Sequence, residues 1–89
     1  MTEREKMREY ATQLRKVLIT FDTDRMRDFV EEHRSLYSAT ALYFLERNDD
    51  DWLLGTMAKM VIARTDISEE HKAMAREILD GMGWDYEIN

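Results

Sequence analysis

The chain has no proline at all and only three glycines, Gly55, Gly81 and Gly83, in 89 residues. Sheet folds turn often, and tight turns draw on Gly, Pro, Asn and Asp, because those residues reach or pre-set the backbone angles that turns require. A chain so poor in turn formers, and rich in Glu, Arg, Ala, Leu and Met, is built from helices joined by short connections. Eighty-nine residues is the size of one hydrophobic core, so the expectation is a single domain over 1–89.

Helical periodicity divides the chain into five segments. Thr2 and Glu5 have capping-box spacing at the head of a helix over Thr2–Thr20. Met7, Tyr10, Leu14, Val17 and Leu18, followed by Phe21 just beyond its end, recur at steps of three and four, an apolar stripe for one neighbour. Asp22-Thr23-Asp24 stops that helix and caps a shorter one over 24–34, which buries Met26, Phe29, Val30 and His33. Residues 36–46 read as a third helix, apolar on most sides and therefore buried. Asp49, Asp50 and Asp51 open a fourth over 50–64, where carboxylates meet the exposed amides of a helix start. Its run of Trp52, Leu53, Leu54, Met57, Ala58, Met60, Val61 and Ile62 covers most of the circumference, which marks the central helix. Asp66 or Ser68 caps the fifth, over 68–80, with Gly81 as its left-handed terminator. The fold class is all-α, a bundle of four to five helices around 50–64.

Composition removes several function classes. There are no cysteines, hence no disulfide framework, thiolate metal site or thiol nucleophile. No apolar run approaches the ~20 residues of a membrane span. Met1-Thr2-Glu3-Arg4-Glu5-Lys6 lacks the apolar core of a secretion signal, so the expected location is the cytoplasm. The net charge is −6, which repels nucleic acids and anionic membranes. Residues 1–34 hold eight acids and eight bases, so the entire excess falls in 35–89. An acidic half of that kind suits a basic partner.

The motifs of catalysis and metal binding fail on spacing. Glu32-His33 and Glu70-His71 repeat an acid–histidine pair, but helical metal sites place Glu and His at i and i+3 so that both face inward. Adjacent residues diverge by about 100°. The acidic clusters at Asp22 and Asp49 lack the glycine and the later oxygen ligands of a calcium loop. Ser35, Ser38 and Ser68 lack the glycine-flanked turn that exposes a nucleophilic serine. The reading is no metal, no cofactor and no enzyme. A helix-turn-helix outline over 22–47, with Arg25, Arg27 and Arg34, is the DNA-binding alternative, although its second helix offers few side chains that read bases.

Aromatic residues exceed what so small a bundle needs inside. Tyr37, Trp52, Trp84 and Tyr86, with the acids Asp49, Asp50 and Asp51, form the candidate interface, since Trp and Tyr anchor protein contacts. A second copy of the chain or another protein is the expected partner. The segments Asn48-Asp49-Asp50-Asp51-Trp52-Leu53-Leu54 and Ala63-Arg64-Thr65-Asp66-Ile67 resemble small helical proteins of bacterial integrative elements and phages. That resemblance implies a mobile-element accessory or inhibitor protein and assigns no role to any residue. Combined with the charge, it suggests an acidic binding face that occupies a basic groove.

Overall fold

The structure is a computed structural model that describes residues 2–47 and 49–84. Among these residues there are five α-helices and no strand: α1 (Glu3–Leu18), α2 (Thr23–Glu32), α3 (Ala39–Arg47), α4 (Asp50–Ala63) and α5 (Glu69–Met82). A 3₁₀ turn over Arg34–Leu36 joins α2 to the segment before α3. The all-α reading holds, and no described helix is long and apolar enough to cross a membrane.

Side-chain caps set most helix starts. Thr2 accepts from the Glu5 amide at 3.2 Å. One Asp22 oxygen accepts from the amides of Asp24 and Arg25 at 3.0 and 3.2 Å. Asp49 accepts from the Trp52 amide at 2.8 Å, and Ser68 from the His71 amide at 3.3 Å. Each satisfies a donor that the first helical turn leaves without an intrahelical partner. Between α1 and α2 the chain passes through Phe21 at φ 51°, an unusual angle for an aromatic residue. Its half-buried ring packs against the core.

The core is assembled around α4, as the sequence predicts. Leu53, Met57, Ala58 and Val61 are buried on it, and they meet Ala75 and Leu79 of α5, Leu14 and Leu18 of α1, and Met26, Phe29 and Val30 of α2. The α4–α5 seam is the most extensive helix pairing, and α1 and α2 pack on each other and on α4.

Two expectations are corrected. Residues 36–46 are not one buried helix. The chain breaks at Tyr37 and Ser38, the Ser38 hydroxyl accepts from the Ala41 amide at 3.1 Å, and α3 starts only at Ala39. No residue of α3 is buried, and the helix touches the others sparsely. Gly81 is not the terminator of α5 either. It continues the helix, and Gly83, at φ 73°, supplies the left-handed residue two positions later. Glycine tolerates that conformation because it has no Cβ to meet the following carbonyl.

Candidate interaction surface

α3 packs on the core only in part, through Leu42 and Leu45, and a cleft of about 350 Å³ lies between it, α2 and α4. Its apolar floor is Met26 and Val30 from α2, Leu42 and Leu45 from α3, and Leu53 from α4. Charged side chains form the rim: Arg27, Asp28, Glu31, Arg34 and Glu46. Three ion pairs brace this rim. Arg27 meets Asp50 and so joins α2 to the first turn of α4. Arg34 holds Glu46 at 2.8 Å and Glu31 at 3.0 Å. The hydrogen bond to Glu46, with the nearby Glu31 charge, pushes the Arg34 guanidinium above its already high ordinary pKa.

The outer side of α3 is apolar as well. Tyr43 and Phe44 are 54% and 51% exposed and meet edge to face, with ring centres 5.9 Å apart. The Arg47 guanidinium lies 4.3 Å above the Tyr43 ring, within the range of cation–π attraction. Leu36, in the preceding turn, is exposed too. Large exposed aromatic groups with a charged rim beside them are the composition of a protein-binding patch.

The residues singled out from sequence are dispersed. Asp49 is occupied as the α4 cap, and Asp50 is committed to Arg27 at the cleft rim. Asp51 is exposed in the first turn of α4. Trp52 is half-buried against the core. Tyr37 turns toward α1, where its hydroxyl meets that of Tyr10 at 2.6 Å. Burial, reinforced by this hydrogen bond, pushes the Tyr37 phenol well above its ordinary pKa. Tyr10, Phe29 and His33 complete that aromatic cluster, with the Phe29 and His33 rings 4.2 Å apart. Trp84 folds back onto Gly55 of α4. Residues 55 and 59 of α4 lie roughly 160° and 120° around the helix from Leu53, so Trp84 and the cleft occupy different sides of it. Tyr86 lies outside the described residues.

Sequence reasoning missed Phe44 and the cleft. The signal that was available is Ser38, whose capping role shortens α3, and Arg47, four residues after Tyr43 and so above its ring. The histidines are placed apart: His33 Nδ1 is 2.8 Å from the Phe29 carbonyl oxygen, and His71 Nδ1 is 2.8 Å from the Ser68 hydroxyl. Among the described residues no three His, Asp or Glu side chains converge as metal ligands would. Comparison of the chain with known families, characterised proteins and solved structures finds no match.

Proposed function

We propose that the chain is a non-enzymatic protein-interaction module that engages its partner through α3 and the adjoining cleft. The observation that carries this reading is α3 itself. It is a short helix bearing Leu42, Tyr43, Phe44 and Leu45, yet it buries none of its residues within the chain. An apolar surface of that kind lowers its free energy when a partner covers it. The charge excess of residues 35–89 favours a basic partner. In the mobile-element setting, the module would cover a basic groove of a nucleic-acid-binding protein and so inhibit it.

The ion pairs weigh against the DNA-binding alternative. Arg25 lies 3.8 Å from Asp22, Arg27 is paired with Asp50, and Arg34 is shared by Glu31 and Glu46. Each guanidinium that would contact phosphate already faces a carboxylate.

The test compares capture from lysate by the native chain and by a Tyr43→Ser, Phe44→Ser variant, with Met7→Ser as an exposed apolar control. A stoichiometric protein should be retained by the native chain and the control, released by salt, and lost with the α3 variant. Retention of the same proteins by all three would remove α3 as the contact surface, and recovery of nucleic acid alone would restore the regulator.

A further inference from the structure

Two carboxylates from different helices converge on one nitrogen at the rim of the cleft. Arg34 Nη1 donates to Glu31 of α2 at 3.0 Å and to Glu46 of α3 at 2.8 Å. A guanidinium and a carboxylate pair most strongly through two parallel bonds, and neither pair here makes the second one. Glu31 Oε1 and Glu46 Oε2 accept no hydrogen bond among the described residues. Around the whole rim, the carboxylates of Asp28, Glu31, Glu46 and Asp50 face the guanidiniums of Arg27 and Arg34, four against two. The rim therefore keeps an excess of negative charge after its own ion pairs are made. Beside it lies the apolar floor of Met26, Val30, Leu42, Leu45 and Leu53.

An aliphatic stem that ends in a planar, forked cation matches both features, the floor and the paired acids. We infer that the cleft takes an arginine side chain of the partner, its stem on the apolar floor and its guanidinium between Glu31 and Glu46, and that Arg34 occupies this seat in the free chain. Arg34 is exposed, as are both of its acids, and ion pairs so open to water contribute little. A competitor that also buries its stem in the cleft gains apolar contact that Arg34 does not make there, and so displaces it. The inference rests on the cleft as the contact surface and gives the basic partner a chemical form.

The probe is pentylguanidinium, with hexanoate and hexanol as tails of similar length that carry the opposite charge and none. Binding is followed through the amide chemical shifts of Val30, Leu42, Leu45 and Leu53. Pentylguanidinium should shift these amides in the native chain at lower concentration than either control. Arg34→Gln should tighten its binding by up to about fivefold, the range open to an exposed ion pair. A Glu31→Gln, Glu46→Gln variant should bring it level with hexanol. Comparing tails within one variant makes this readout independent of that variant's stability. Equal response to all three tails in the native chain would show an apolar cleft with no seat for a cation. Weaker binding to Arg34→Gln, or no response in either chain, would also overturn the inference. A partner captured through Tyr43 and Phe44 without any probe response would sink this inference alone, whereas a probe response without a captured partner would leave the seat standing.

Discussion

The Arg34 guanidinium donates to the Glu46 carboxylate at 2.8 Å while also holding Glu31 at 3.0 Å. One cation thus ties the end of α2 to the last turn of α3, across the mouth of a cleft that packing does not fill. No residue of α3 is fully buried, and only Leu42 and Leu45 pack in part against the core, so polar ties of this kind help to set its position. Exposed ion pairs contribute little to global stability, but they can decide where a loosely packed element sits. Glu46→Gln should therefore leave the thermal midpoint almost unchanged while hydrogen exchange of the α3 amides accelerates. Native exchange rates in α3 would show that the ion pair does not position it.

Leu53 and Leu42 both line the cleft, but they should respond differently to the same truncation. Leu53 is buried on α4, and Leu53→Ala removes its methyl groups from a packed environment at a cost of about 2–5 kcal/mol. In a domain of this size each kcal/mol lowers the melting temperature by roughly 4–8 °C. Leu42 is only half-buried against open space. Leu42→Ala should cost less than about 1.5 kcal/mol, because the side chain loses less apolar burial. Denaturant titration of the two variants makes the comparison. Equal losses would mean that α3 is an integral part of the core.

Much of the fold was legible in the residue pattern, for identifiable reasons. The absence of proline leaves helices uninterrupted, Thr2, Asp22, Asp49 and Ser68 announce their starts, and the near-continuous apolar circumference of α4 predicts its central place. α3 was misread because periodicity reports that a face is apolar and not what covers it. Leu42 and Leu45 face a cleft, while Tyr43 and Phe44 face outward. The end of α5 was misplaced because Gly81 and Gly83 are equally able to take a positive φ, and the choice rests on where Trp84 docks. The candidate surface was the least legible part. Pairings such as Arg27 with Asp50 and Tyr10 with Tyr37 join residues 23 and 27 positions apart, and no local spacing encodes them.

The three consecutive aspartates of α4 should separate by role. Asp49 caps the helix through the Trp52 amide, so Asp49→Ala should destabilise the fold by about 1 kcal/mol. Asp51 is an exposed acid in the first turn, where the helix dipole favours it, so Asp51→Ala should cost no more than about 0.5 kcal/mol. Urea unfolding measures both. If Asp51→Ala proves as damaging as Asp49→Ala, the cap is shared and the assignment fails. The contrast also makes Asp51→Ala the cleaner probe of any acidic contribution to partner binding.

Arg64 ends α4 and binds Asp66 through two nitrogens, each 2.8 Å from a carboxylate oxygen, while also donating to the Ala11 carbonyl of α1 at 3.1 Å. The hydrogen bond from Arg64 is the main reason that the Asp66 carboxyl is held at about 2, well below its ordinary 3.8. A carboxylate whose pKa is lower folded than unfolded stabilises the fold once pH exceeds the unfolded value. That contribution declines as pH falls from about 4 to about 2, because the unfolded chain binds the proton first. Acid titration of stability should thus have a component in this window that Asp66→Asn removes, with little difference in slope between the two proteins above about pH 5. Because Arg64 also reaches α1, Arg64→Lys should weaken the α1–α4 junction even at neutral pH, since an ammonium cannot reproduce the forked geometry. An acid limb identical in the native chain and in Asp66→Asn would show that the Arg64–Asp66 pair does not link α4 stability to pH.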